Sequence, residues 1–135
     1  MSPESTIFII GLAVVIITIL TFVMRKLPKR IKTQIYVKKW RDIQKLCANS
    51  EDWSHAIVHA DMLLEEVLKK KKITGKTMGE KLVNSEDRFT NNEALWNAHK
   101  LANSIKQNGD KSLKDSEVKE ALIAFGQSLR DLGAL

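Results

Sequence analysis

One uncharged run decides most of what this chain can become. From Ile7 to Met24 the sequence reads IFIIGLAVVIITILTFVM, 18 residues without a charge. As a helix it would be about 27 Å long, close to the roughly 30 Å hydrocarbon core of a bilayer. Thirteen of the 18 are Ile, Leu, Val or Phe, and residues of this kind together supply roughly −4 to −8 kcal/mol of insertion free energy. Gly11, Thr18 and Thr21 subtract only a little, and a threonine hydroxyl can bond back to its own helix. A helix apolar on every side would otherwise need a far larger protein around it. A cleaved signal peptide needs a positive start and a small-residue cleavage site. Here MSPEST, with one Glu and no Lys or Arg, precedes the run, and Arg25-Lys26 follows it. No basic residue and glycine come before the run and no glutamate opens it, which counts against a pilin-type leader. The reading is a transmembrane helix over 7–24, with 1–6 on the far side of the membrane.

Charge gives this helix a direction. Eight basic residues lie between Arg25 and Arg41, with no acid among them: Arg25, Lys26, Lys29, Arg30, Lys32, Lys38, Lys39 and Arg41. The positive-inside rule puts this side in the cytoplasm of a cell (inner) membrane protein, with the N-terminus outside. Residues 42–135 hold 14 Lys or Arg and 15 Asp or Glu, a net of −1, so the basic excess sits beside the membrane. A nucleic-acid reader would carry its basic patch on the folded domain. Arg25, Lys26, Lys29, Arg30 and Lys32 are therefore expected to contact the membrane surface, and nucleic acid is not an expected partner. The single cysteine, Cys47, has neither a bridging partner nor a CxxC or Cys/His companion. That suits a reducing compartment.

Leu27-Pro28 predicts a break after the membrane helix. A helical pattern resumes with Ile31, Ile35, Trp40, Ile43 and Leu46. After Asn49-Ser50, with Ser50 as the expected N-cap, the strongest amphipathic stretch runs over about 51–72. Its stripe is Trp53, Ala56, Ile57, Ala60, Leu63, Leu64, Val67 and Leu68, and Ile73-Thr74-Gly75 ends it. Thr77 and Glu80 spell a capping box for a short helix. Residues 84–92 read as a loop with Phe89 turned inward. Helices follow over about 92–107, closed by Asn108-Gly109 as a left-handed cap, and about 115–132, stopped by Gly133. No period-two run appears, so the fold class is all-α: a transmembrane helix, a basic juxtamembrane segment over 25–41 and a four- to five-helix bundle over 42–135.

Three local patterns invite a chemical reading. Thr74-Gly75-Lys76-Thr77 contains the end of a phosphate-binding loop, yet Lys70 stands where the first glycine is required and a helix precedes it. A turn and a helix cap account for it. His55 and His59, four apart on one helix, have a spacing that can chelate a metal, and they are the weak metal candidates. The only other histidine, His99, is on a different helix and no HExxH pattern exists, so histidines bordering an apolar stripe are the simpler account. Trp40, Trp53 and Trp96 fall on apolar stripes and read as core. No cofactor is assigned, and no catalytic residue can be singled out from spacing.

The helix Trp53 to Leu68 (WSHAIVHADMLLEEVL), the segment Thr77 to Leu82 (TMGEKL) and the helix Leu95 to Ile105 (LWNAHKLANSI) together resemble HEPN domains. These are small helical bundles of ribonucleases, toxins and their inactive relatives. The resemblance covers roughly 40–132. In active HEPN ribonucleases an Arg, often followed by Asn, precedes a His with four to six residues between them, and two subunits bring these groups together at their interface. Carried over by position, Asn103 matches the Asn and Ile105 the apolar place. Ala102 stands at the Arg and Gln107 or a neighbour at the His, while His99 comes too early. The resemblance implies a non-catalytic member whose helix, through His99, Ala102, Asn103 and Gln107, serves as a packing or pairing surface. The expected function is a membrane-anchored interaction domain facing the cytoplasm, with a second copy or another protein as partner. The alternatives are a membrane-tethered HEPN-type ribonuclease or RNA-binding protein, and a small accessory subunit of a membrane complex.

Overall fold

The computed structural model describes residues 2–27, 31–109 and 112–135, and every regular element among them is helical. The first helix, α1 (Pro3–Lys26), is capped by Ser2, whose hydroxyl accepts from the Ser5 amide, and has Pro3 in its first turn. Of these helices it alone has the length and apolarity to cross a membrane, and none of its residues is buried in the protein. Leu27 leaves it with extended backbone (φ −69°, ψ 135°), as a residue before proline must. Pro28, at which the break was expected, lies outside the described residues.

The other five helices form the bundle: α2 (Thr33–Leu46), α3 (Trp53–Lys70), α4 (Met78–Asn84), α5 (Asn92–Asn108) and α6 (Asp115–Asp131). Helix α3 is the hub, packed against α2, α5 and α6, and α5 and α6 pack on each other. Ile57, Leu64 and Leu68 of α3 meet Leu82, Leu95, Phe125 and Leu129 in one apolar cluster, all of them shielded from solvent. Burial of this single core is what holds the bundle together. Tyr36, Trp40 and Ile43 bring α2 into the same cluster. A boundary between residues 41 and 42 therefore falls inside a helix, and the folded unit begins with α2.

The phase of α2 differs from expectation. Ile35 is half exposed and Tyr36, one residue on, is buried. Trp40 and Ile43 set the inward face, and the position one turn before Trp40 is Tyr36. Burial, then the nearby Glu66, pushes the Tyr36 phenol above its ordinary pKa, with Lys39 opposing. Trp53 and Trp96 are half-buried and pack against the core from its edge, and the Trp53 indole donates to the Cys47 carbonyl (3.0 Å), closing the α2–α3 corner. Phe89 is buried as expected.

Helix ends also refine the sequence reading. Ser50 opens a short 3-10 turn, Ser50–Asp52, instead of capping α3, and Asp52 makes no side-chain cap bond there. Helix α3 ends at Lys70, with Lys71 as its C-cap, well before Gly75. The Ile73 amide donates to the Leu68 carbonyl (3.1 Å) and Lys72 takes the left-handed conformation at φ 59°. This is a Schellman reversal with lysine where glycine is usual. Gly75 has a different task. At φ 142°, any Cβ on it would lie 2.8 Å from the Lys81 amide nitrogen. The Thr77 hydroxyl accepts from the Glu80 amide (3.2 Å), while the Glu80 carboxylate reaches past Thr77 to the Lys76 amide (2.6 Å). Gly109 has the positive φ expected of a cap, but its ψ of −164° is extended rather than left-handed helical. Gly133 completes a second Schellman reversal, with Ala134 donating to Leu129 (2.9 Å).

Candidate functional site

Two regions hold most of the residues singled out from the sequence. At the end of α1, Arg25 and Lys26 occupy the last turn, where cations also oppose the helix dipole favourably. Lys26 folds back over the Phe22 ring (4.6 Å to its centre), covering apolar surface while its ammonium stays at the helix end. Lys32 is exposed immediately before α2. Lys29 and Arg30 lie outside the described residues. Within α1 the Thr18 hydroxyl donates to the Val15 carbonyl (2.8 Å) and the Thr21 hydroxyl to the Thr18 carbonyl (2.9 Å). Neither hydroxyl asks anything of its surroundings, which is what a hydrocarbon environment requires.

The second region is a polar network inside the bundle, where α3 and α5 cross. Asp61 is 1% exposed, on the buried face that also carries Ile57, Leu64 and Leu68. His99 Nδ1 lies 2.8 Å from Asp61 Oδ1, and the Lys106 ammonium donates to Asp61 Oδ2 at 2.9 Å. A carboxylate only accepts, so Nδ1 carries the proton in this contact. His99 Nε2 then takes the Asn103 amide as donor, at 3.2 Å. The Trp96 ring stands edge-on to the imidazole with centres 6.0 Å apart. The chain thus places Asp61, His99, Asn103 and Lys106 in one network that burial would otherwise make costly.

Chemically the network is closed. An Asp–His pair orients a general base when the outer nitrogen faces a substrate proton. Here that nitrogen is occupied by Asn103, and His99 is 5% exposed. Lys106, whose side chain is about one-third exposed, offsets the Asp61 charge. Of the four residues expected on a pairing surface, His99 and Ala102 are buried in the chain's own core, Asn103 is half-buried and Gln107 exposed. Of these four, only Asn103 and Gln107 offer surface to a partner. Asp61 and Lys106 were not singled out as site residues from the sequence. The available signal was a carboxylate inside the α3 apolar stripe, at a position the helical period buries.

His55 and His59 are both exposed, their rings edge-on with centres 6.3 Å apart. Among the described residues no group of three or more His, Cys, Asp or Glu side chains is placed to hold a metal ion. The segment Thr74–Thr77 is taken up by local bonds: the Asn84 amide donates to the Thr74 carbonyl (2.7 Å), besides the Glu80 contact above. Burial raises the Cys47 thiol above its ordinary pKa, which disfavours the reactive thiolate. Comparison with protein-family models, with curated proteins and with solved structures finds no match to this chain.

Between α5 and α6 runs a groove of about 820 Å³, floored by Ala94, Ala98, Ala121 and Ala124 and flanked by Leu101 and Ile123. Ile123 is 70% exposed, a large apolar side chain with nothing over it. Alanines on both helices leave room for a side chain or another helix to come close to the backbone.

Proposed function

We propose that this protein is a single-pass membrane protein whose helical bundle is a non-catalytic interaction domain held at the cytoplasmic face, a degenerate relative of HEPN domains. The observation that carries the reading is the contrast between α1, which buries none of its residues, and a bundle whose core closes without it. An apolar helix so exposed is stable only in lipid. The basic residues after α1 support a cytoplasmic bundle with the N-terminus outside. Burial of Ala102 at the position of the HEPN arginine, and the occupied imidazole of His99, favour interaction over RNA cleavage. The α5–α6 groove, with its exposed Ile123, is the surface on which a second copy or another protein would sit. The anchor would act by concentrating that surface in two dimensions.

The test uses the full chain in membranes. The protein should resist alkaline carbonate extraction, and a C-terminal tag should be cleaved by protease only after the cells are opened. In detergent it should self-associate, or hold a partner that Ile123→Glu releases. Extraction by carbonate, a tag cleaved in intact cells, or RNA cleavage by the purified chain would each overturn the reading.

A further inference from the structure

We propose that α2 is a membrane-docking helix, whose outward stripe of Lys38, Arg41 and Lys45 lies on anionic lipid headgroups and fixes the orientation of the bundle. The proposal rests on α1 being a membrane anchor and goes beyond it, because an anchor alone leaves the bundle free to tumble on its tether. At 3.6 residues per turn, Gln34, Lys38, Arg41 and Lys45 fall within an arc of about 60°. Tyr36, Trp40 and Ile43 are on the opposite side, buried against the other helices. The charged stripe therefore faces directly away from the core.

Ion pairing inside the protein separates this stripe from its neighbours. Lys39, off the stripe, is held by both carboxylate oxygens of Glu66, at 2.8 and 2.9 Å. Among the described residues Lys38 and Arg41 have no ion pair, and Lys45 reaches only Asp42, at 3.7 Å with both side chains mostly exposed. Asp42 is the one acidic residue of α2 and sits at the edge of the stripe. Ile35, half exposed beside Lys38, supplies the apolar side chain that a helix lying in the headgroup layer inserts.

Reach is sufficient. Residues 27–32 span about 20 Å at most when extended, and α2 is about 21 Å long. Both ends of the helix can therefore touch the surface that α1 enters. Each Lys or Arg near an anionic surface strengthens binding about fivefold, so three give roughly a hundredfold preference for the docked state. A free polyanion such as RNA would meet the same three cations, but the rest of the bundle offers it no net positive charge.

The experiment places the full chain, with Cys47→Ala and a solvent-sensitive fluorophore on Ile35→Cys, in lipid nanodiscs. Discs are made of phosphatidylcholine alone or mixed with phosphatidylglycerol, and acrylamide serves as an uncharged quencher. Phosphatidylglycerol should reduce quenching several-fold, and molar salt, which shortens the Debye length to about 3 Å, should restore it. Lys38→Gln, Arg41→Gln and Lys45→Gln combined should abolish the lipid effect with an unchanged thermal melt. Lys38→Arg with Lys45→Arg should keep it. Equal quenching in the two lipids, in protein that co-elutes with the discs, would overturn docking and leave the anchor standing. Protein that fails to co-elute would overturn both. Added RNA that shields the probe in phosphatidylcholine discs as well as phosphatidylglycerol does would make the stripe a nucleic-acid surface and overturn the lipid assignment.

Discussion

Asp61 is the residue on which the interior depends most. It is a buried carboxylate answered by one imidazole and one ammonium, and removing either side leaves a charge without its complement. Asp61→Ala should lower the unfolding free energy by about 3–5 kcal/mol, read from urea melts of the full chain in detergent. Lys106→Ala should cost less, because water can replace a partly exposed ammonium. At Lys72 the expected change has the opposite sign. A lysine at φ 59° carries the Cβ strain that glycine lacks, so Lys72→Gly should stabilise by about 0.5–1 kcal/mol in the same melts. Asp131 is governed by pH. Burial would raise its pKa, but bonds from the Thr90 amide (2.8 Å), Gln127 and the Thr90 hydroxyl hold it below the ordinary aspartate value. A lowered folded-state pKa contributes stability above the unfolded value, near 3.9, and loses it as pH falls through the folded value. The stability difference between wild type and Asp131→Asn should be full at neutral pH and shrink across that acidic window, which melts at a series of pH values would show.

Among the elements, α2 reaches α6 through the Trp40 ring. A Cβ on Gly126 would lie 3.0 Å from the Trp40 ring, so the absence of a side chain lets the indole lie against the α6 backbone. Gly126→Leu should overpack this contact and cost about 1–3 kcal/mol, measured by thermal melting against wild type. The helices themselves were readable from the sequence because their stripes are long and end in recognisable caps. Thr77, Asn108-Gly109 and Gly133 placed three boundaries to within a residue or so. What could not be read came from partners distant in the chain. Asp61 and His99 are 38 residues apart, and nothing near either position announces the other. The swap of Ile35 for Tyr36 has a local cause: Ile31, just before α2, and Ile35, in its first turn, mimic a helical stripe out of phase with the true one. Gly75 was read as a stop for α3, whereas the reversal at Lys72 depends on backbone bonds that no residue type at that position advertises.

At the scale of the whole molecule, α2 and the helices it packs on are one folding unit. A fragment beginning at residue 31 should melt cooperatively, whereas one beginning at residue 42 loses Tyr36 and Trp40 from the core and should melt at markedly lower temperature or not fold. Circular dichroism on the two fragments separates these outcomes. The same placement of Trp40 against Gly126 bears on mechanics. Any tug applied through α1 enters the globule at its first packed helix, α2, where the indole seated on α6 resists it. Stretched from its tether by optical tweezers, the globule should yield by peeling α2 away first, and Trp40→Ala should lower the force at which that initial rip occurs.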